Sequence, residues 1–274
     1  MGATAPSLAP TTPDLVWFAG VDARRFLNDL ITQEMADMAP GMVRRSLLLT
    51  PQGKLDHIMW VLGGGDEIGL VVDEGRGEDL AAKLGRYRIR VDVSIEPVTA
   101  ERWLVVGSYG ADHDRWSGDR GGLVADVSWS GVERTLVVGE KPGLPSIGAD
   151  GYGELRIEAG EPLMGVDVTD NTIPQETGLV GSSISFDKGC FLGQELVARL
   201  DSRGGRVNHH LRILRFDGEA PKAGAAVTKD GEEVGMMTSS AGGVGLGLLR
   251  RGVESGDAVI VGDAQAVVEA VPEG

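Results

Sequence analysis

Cysteine is nearly absent from this chain of 274 residues: Cys190 is its single cysteine, so no disulfide can form within the chain. No apolar run approaches the roughly 20 residues that a membrane-spanning helix requires. The first residues also lack the basic start and the apolar stretch of a secretory signal. These absences predict a protein of the reducing cytoplasm that has no membrane partner.

Positive charge is scarce as well. With 26 Lys and Arg against 41 Asp and Glu, the formal net charge is −15, and a field of that sign repels nucleic acid and anionic membranes. An anionic small ligand would need a local basic patch, for which residues 44–45, 86–90 and 199–206 are candidates. Taken singly, each of these patches is better explained as solvated surface charge. We therefore predict no nucleic-acid partner.

Aromatic residues make up only 5% of the chain, whereas glycine contributes 42 residues. This composition predicts many tight turns and small-residue strands rather than a large aromatic core. Residues 1–13 are mainly Ala, Pro, Thr and Ser, so we predict a disordered tail there. Beyond it, helical patterns at 21–31 and 78–86 alternate with short β patterns, which is typical of an α+β fold. We also predict a strand at Leu155–Ile157.

The C-terminal part of the chain changes to an all-β pattern. Paired β patterns flank Asp230-Gly231 and Gly262-Asp263, and Asp-Gly is a strong signal for a two-residue hairpin turn. We predict a β-barrel over residues 206–274, with its boundary near the glycines at 204–205.

One segment carries most of the chemical information: KGCFLGQE, from Lys188 to Glu195. The pattern predicts a helix that opens at Gly193, with Cys190 just before its N-terminus and close to the lysine. A helix N-terminus and a nearby ammonium both favour a thiolate, and the free N–H groups of a first helical turn can bind an anion. Composition alone favours a small buried structural cysteine instead, with Gln194 and the glutamate acting only as caps.

This string closely resembles the signature of the YgfZ family, in which Lys-Gly-Cys and an aromatic residue precede Gly-Gln-Glu. Residues 20–27, 48–54 and Ile173–Glu176 resemble further segments of that family or of the related glycine cleavage T-protein. The resemblance covers nearly the whole chain. It implies two α/β subdomains of the T-protein-like fold over residues 14–205, which can be interleaved in sequence, followed by the barrel.

The resemblance also implies a function: a tetrahydrofolate-binding accessory protein that supports assembly or repair of iron–sulfur enzymes, with folate and iron–sulfur client proteins as partners. Glu176 matches a carboxylate that contacts the pteridine in the relatives, and a carboxylate can accept two parallel N–H bonds from such a ring. The same side chain can instead hold its own loop in place. The implied ligand-binding residues are Glu176, Lys188, Gln194, Glu195 and Arg199, with Arg199, Arg203 and Arg206 as candidates for the folate's glutamate tail.

The chain departs from the T-protein pattern at two places. The T-protein carries a pair of aspartates where this chain has Asp56 followed by His57, and we interpret the histidine as a surface residue of a strand. Asp73 replaces a folate-contacting asparagine. Both departures argue against aminomethyltransferase activity.

Whether the protein is an enzyme is left open, with Cys190 and Asp56 as candidate catalytic residues. The alternatives to the accessory role are a folate-dependent one-carbon transferase and a non-catalytic interaction module. One cysteine and four histidines show no ligand spacing along the chain, which predicts that there is no metal site.

Overall fold

The computed structural model of the chain describes residues 5–272. Its strands are β1 (Ser7–Leu8), β2 (Asp14–Ala19), β3 (Val43–Leu49), β4 (Leu55–Gly63), β5 (Glu67–Val72), β6 (Ser94–Pro97), β7 (Arg102–Val106), β8 (Trp116–Asp119), β9 (Gly122–Asp126), β10 (Arg134–Val138), β11 (His209–Phe216), β12 (Ala226–Lys229), β13 (Glu232–Ala241), β14 (Val244–Arg250), β15 (Ala258–Val261) and β16 (Ala264–Ala270). Its helices are α1 (Ala23–Asn28), α2 (Gly77–Gly85), α3 (Gly148–Glu158), α4 (Val180–Ser183) and α5 (Gln194–Asp201). No helix of the described range is long and apolar enough to cross a membrane.

Two antiparallel five-stranded sheets make up the larger part of the molecule. The first has the strand order β3-β4-β5-β2-β6 and the second has the order β1-β7-β10-β9-β8. β1 precedes every strand of the first sheet but pairs with β7 in the second, so the two subdomains are interleaved in sequence. The predicted α+β class is confirmed.

The two sheets share one apolar core. Leu15 of the first sheet and Leu104 of the second belong to the same cluster of buried side chains. The opposite face of the first sheet packs against α1 and α2, where Leu80 is buried. Because side chains alternate along a strand, β4 sends Trp60 into the shared core and Met59 toward the helices. Residues of β4 can therefore reach either layer.

The C-terminal strands form a closed barrel with the order β11-β14-β13-β12-β15-β16. Its interior is filled by small and branched apolar side chains such as Leu214 and Val261. The turn between β12 and β13 consists of Asp230 and Gly231, both with positive φ (52° and 82°), as a type I′ hairpin requires. The predicted barrel is confirmed.

Two local predictions are wrong. The tail predicted over residues 1–13 is ordered where the structure describes it, because β1 pairs with the second sheet and Leu8 is buried; residues 1–4 lie outside the described residues. The strand predicted at Leu155–Ile157 is part of α3. Ile157 is buried against side chains of β11 and β14, so packing against the barrel overrides the local β preference.

Candidate functional site

A cavity of about 460 Å³ lies where the two sheets meet α3. That volume falls within the roughly 300–1,000 Å³ typical of small-molecule sites. One part of its wall is apolar and includes Trp60, Val71, Leu104, Val127 and Met164. The polar side chains of the lining include Asp73, Glu74, Arg76, Arg134, Tyr152 and Glu161. An apolar cavity with a few convergent polar groups is the usual form of a ligand site.

A buried ion pair forms part of this wall. The Nη1 and Nη2 atoms of Arg134 donate to the Glu161 carboxylate at 2.7 and 3.0 Å, and Nη1 also donates to the Tyr152 hydroxyl at 3.0 Å. The exposed fractions of the two charged side chains are 3% and 6%. The guanidinium carbon of Arg134 lies 5.5 Å from the centroid of the Trp60 ring. Since a buried charge is very costly unless it is paired, this pair fixes the shape of the wall.

Asp73 and Arg76 are two further polar residues of the lining. Asp73 follows β5, and its burial together with the negative charge of Glu161 raises the pKa of its carboxyl to about 6. The Nε atom of Arg76, just before α2, is buried and has no hydrogen-bond partner among the described residues. A carboxyl that accepts and a guanidinium that donates can together recognise a flat ligand edge with N–H and C=O groups.

Lys188, the first residue of the motif, has a structural contact. Its Nζ atom donates to the carbonyl oxygens of Asn28, Ile31 and Gln33 at 2.7, 2.8 and 2.8 Å. These bonds use all three donors of an ammonium. Burial lowers the pKa of Lys188 to about 8. The geometry does not support the predicted roles of Lys188 in binding a ligand or activating the thiol, because the side chain anchors the motif to the end of α1.

The backbone of the motif also packs closely against the hairpin that joins β3 and β4. Gly193 and Gly53 have φ values of 78° and 75°. A Cβ atom on Gly193 would overlap the carbonyl oxygen of Thr50 and lie 3.1 Å from Cα of Gly53. Gln194 accepts a hydrogen bond at its Oε1 from the backbone N–H of Phe191 at 2.8 Å. The glycine therefore permits a close backbone contact, and the glutamine caps its own turn.

Cys190 is a free, exposed cysteine. It lies three residues before Gly193, the N-cap of α5, so the thiol is outside the helix terminus. Glu195 and Arg199 are exposed on α5. The described lining of the cavity includes none of these three side chains. The exposure of Cys190 rules out a buried structural cysteine, whereas the functional roles of the three residues stay predictions.

Glu176 closes the 3-10 turn Pro174–Glu176. Its Oε2 atom accepts a hydrogen bond from the backbone N–H of Ile173 at 3.1 Å, and its Oε1 atom lies 3.4 Å from Nδ1 of His209. Glu176 is not among the described lining residues of the cavity. Of the two roles considered from the sequence, the structure shows the one in which Glu176 holds its loop, here against the first barrel strand.

His57 is 1% exposed, so the prediction of a surface position is wrong. His57 lies two residues before Met59 and therefore faces the helical layer of the sheet, where α2 covers it. A bulge lies just before it in β4, since Leu48 pairs with His57 and Leu49 pairs with Leu55, and Asp56 is the extra residue. Because a bulge disturbs the alternation of side chains, Asp56 also reaches α2.

Asp56 and His57 join two charged residues of α2. The Nζ atom of Lys83 lies 2.5 Å from Oδ1 of Asp56 and 2.8 Å from Oδ2 of Asp79. Burial alone would raise the pKa of Asp56, but His57 and Lys83 outweigh that effect and hold it at about 2. Asp56 is thus an ionised carboxylate on the α2 side of β4, and the described cavity lining does not include it.

Most of the charged cavity residues carry no recognisable signal in the sequence. Arg134, Tyr152 and Glu161 lie on β10, on α3 and after α3, with no fixed local spacing that marks a motif. Asp73 was noted as a departure from the T-protein pattern, and the structure places it in the cavity. Arg199, Arg203 and Arg206 were considered for an anionic tail, but the described lining contains Arg76 and Arg134 instead.

Comparison with known proteins identifies the fold. Residues 210–273 match the family described as "CAF17, C-terminal beta-barrel domain". The crystal structure of glycine cleavage system aminomethyltransferase T from Bartonella henselae has a TM-score of 0.81 to this chain, with 18% sequence identity, and the match covers 99% of this chain and 86% of that chain. The two sheets and the barrel therefore form a T-protein-like fold, as the sequence implied.

Two sequence relatives extend along most of the chain. Human "Iron-sulfur cluster assembly factor IBA57, mitochondrial" is 31% identical, and the match covers 84% of this chain and 73% of the relative. The aminomethyltransferase of Desulforamulus reducens is 24% identical, with coverage of 82% and 71%. The human relative is named as mitochondrial, so the cytoplasmic location of this chain stays a prediction.

Proposed function

Since the chain belongs to the family of the iron–sulfur cluster assembly factor IBA57, we propose that it is a YgfZ-type accessory protein that binds tetrahydrofolate and supports the assembly or repair of iron–sulfur enzymes. The observation that carries the folate proposal is the cavity, whose lining combines the Asp73 carboxyl with Arg76, and the buried Nε of Arg76 has no hydrogen-bond partner among the described residues. The iron–sulfur part depends on family membership and on the exposed thiol of Cys190.

The residues of the cavity fit the pterin end of a tetrahydrofolate. An ionised Asp73 would accept two parallel N–H bonds from the aminopyrimidinone edge, and Arg76 would donate to its carbonyl oxygen. Trp60, Val71 and Leu104 provide apolar surface for the faces of the ring. In this proposal Asp73 has the role that the resemblance assigned to Glu176.

The thiol acts outside the cavity. Its motif neighbours Lys188, Gly193 and Gln194 each make a contact that holds the fold together, whereas Cys190 is exposed. An accessible thiol can exchange with a sulfur group or ligate iron transiently when a client protein docks. We assign Cys190 to that step and the cavity to folate.

A folate-dependent one-carbon transferase is the second candidate, and its basis is the likeness of the fold to aminomethyltransferase T. If this chain is such a transferase, Asp56 is its predicted catalytic carboxylate, and Asp56 is paired with Lys83 on the α2 side of β4. This placement favours the accessory role. An assay for formaldehyde or methylene-folate release from aminomethyl and N-methyl donors tests the transferase, and turnover that is lost in Asp56→Asn would promote it to first place.

Calorimetry with tetrahydrofolate tests the folate proposal. We expect the wild-type protein and Cys190→Ala to bind with equal affinity, because the thiol does not line the cavity. In Asp73→Leu the loss of two charge-assisted hydrogen bonds should weaken binding by about tenfold or more.

The cellular arm of the same test uses cells that lack the gene. Cys190→Ala should fail to restore the activity of an iron–sulfur enzyme there, although it still binds folate in the calorimeter. Absence of binding heat for the wild-type protein at high folate concentration would refute the folate part, and full rescue by Cys190→Ala would refute the role of the thiol.

A further inference from the structure

A cluster of ionisable side chains lies outside both the cavity and the motif, between β4 and α2. We propose that Asp56, His57 and Asp79 form a binding site for a divalent transition-metal ion, and that the ammonium of Lys83 occupies the cation position when no metal is bound. The sequence predicted no metal site because its cysteine and histidines show no ligand spacing, whereas two of these three ligands are carboxylates.

The distances within the cluster suit a metal ion. One ligand atom from each of the three residues lies within 4.8 Å of the others. Nδ1 of His57 is 3.3 Å from Oδ1 of Asp56, and Nε2 is 3.4 Å from Oδ2 of Asp79. Metal–ligand bonds of about 2.0–2.2 Å in a tetrahedral site place neighbouring ligand atoms roughly 3.3–3.5 Å apart. Because one ion binds only one ring nitrogen, one carboxylate already lies beside the binding nitrogen and the other must rotate toward it to complete the site.

The buried imidazole is a second, independent indication of a ligand. The side chain of His57 is 0% exposed, and neither ring nitrogen has a hydrogen-bond partner with acceptable geometry in the part of the chain that the structure describes. Leaving a buried polar atom without a partner is costly and rare in folded proteins. A metal ion bound to one of these nitrogens would use its free lone pair.

Lys83 already occupies the position of a cation. Its ammonium contacts both carboxylates but supplies one positive charge where the two aspartates carry two negative charges. The Lys83 side chain is 31% exposed, so it can swing into solvent when a divalent ion enters. One imidazole and two carboxylates are a donor set for Zn²⁺, Mn²⁺, Fe²⁺ or Co²⁺, and they lack the thiolate that copper(I) prefers.

A second cluster of one histidine and two aspartates differs from the first in its burial and its hydrogen bonds. His113, Asp114 and Asp126 also lie close together, but His113 is 83% exposed. The Asp126 carboxylate already accepts hydrogen bonds from the backbone N–H groups of Asp114 and Ser128. Because backbone N–H groups already use that carboxylate, we do not expect the second cluster to bind a metal ion. It therefore provides a matched control for the first cluster.

The test is a titration of the full chain with Co²⁺ and Zn²⁺. All variants carry Cys190→Ser, because the exposed thiol would otherwise bind these ions. We expect one equivalent of Co²⁺ to produce the visible absorption of a low-symmetry site and Zn²⁺ to displace it. Asp79→Asn should weaken binding by at least about tenfold, since it removes one charged ligand. His113→Asn should leave the affinity unchanged.

Lys83→Met gives the sharpest result. It removes the competing ammonium and leaves all three ligands in place, so Zn²⁺ should bind about tenfold or more tightly than to the protein with Lys83. Asp79 is half-exposed, so Asp79→Asn should remain folded, and its circular dichroism spectrum checks this. The proposal would be overturned if Zn²⁺ failed to bind both before and after the Lys83→Met substitution, or if it bound equally with and without the Asp79 carboxylate.

Discussion

The motif and the cavity differ in how their residues are used. In the motif, eight consecutive residues contain an anchoring lysine, a glycine in backbone contact and a capping glutamine, and the thiol of Cys190 is left exposed. In the cavity, the polar residues come from five separated stretches and include a buried ion pair. The contiguous motif is thus mainly a segment whose contacts hold it in place. The residues that line the cavity, by contrast, form no recognisable pattern along the chain.

The largest effect on stability is expected for Glu161→Gln in the cavity. The change leaves the guanidinium of Arg134 buried without its counter-charge, which should lower the free energy of unfolding by about 3–5 kcal/mol. Urea denaturation measures it. The control is Glu158→Gln, which breaks a partly exposed pair with Arg215 and should cost less than about 1 kcal/mol. Equal costs for the two changes would show that the cavity pair does not hold the wall.

A smaller effect is expected for Gly193→Ala in the motif. The backbone has a positive φ there, and the new methyl group would overlap the carbonyl oxygen of Thr50. Together these should lower the free energy of unfolding by about 2–3 kcal/mol. Gly205→Ala is the matched control, because its φ is also positive but the space around it is open, so the cost should be about 1 kcal/mol. If both variants lose the same amount, the contact with the hairpin is not important for folding.

The smallest change in the free energy of unfolding is expected for Asp73→Asn, and it has the opposite sign, because this variant should be more stable than the wild-type protein. Because the folded-state pKa is raised from 3.8 to about 6, the unfolded chain loses its proton first as the pH rises, and stability falls between about pH 4 and pH 6. The asparagine side chain does not ionise, so the variant does not lose stability over this pH range. It should be about 1–2 kcal/mol more stable than the wild-type protein at pH 7, after allowance for the partial exposure of the side chain. Thermal unfolding at pH 4 and pH 7 measures the difference.

The same carboxyl should control ligand binding in the other direction. Folate affinity of the wild-type protein is expected to increase as the pH rises through 6, because the ionised form of Asp73 accepts the N–H bonds. Asp73→Asn should bind more weakly and show no such change with pH. A wild-type affinity that is constant between pH 5 and pH 7 would contradict the assignment of Asp73 to the ligand.

Local patterns predicted a large part of the fold. The helical pattern at 21–31 marked α1, the helical pattern at 78–86 marked α2, and Asp230-Gly231 marked the first barrel hairpin, because each signal lies within a few turns or one hairpin. The errors occur where distant contacts outweigh such signals. α3 contains three glycines among its first six residues, and its helical form depends on packing against the barrel. His57 is buried because α2 covers the face of β4 on which it lies.

The sequence by itself determined the alternation of helices and strands, the barrel, and the unusual segment around Cys190, because these depend on neighbours a few residues apart. Only the tertiary structure decided which side chains meet: Arg134 with Glu161 in the wall of the cavity, Lys188 with the end of α1, and His57 with Asp79 beside α2. The physical reason is that burial and charge pairing act through space. Residues far apart along the chain acquire their chemical environment only when the sheets, helices and barrel pack together.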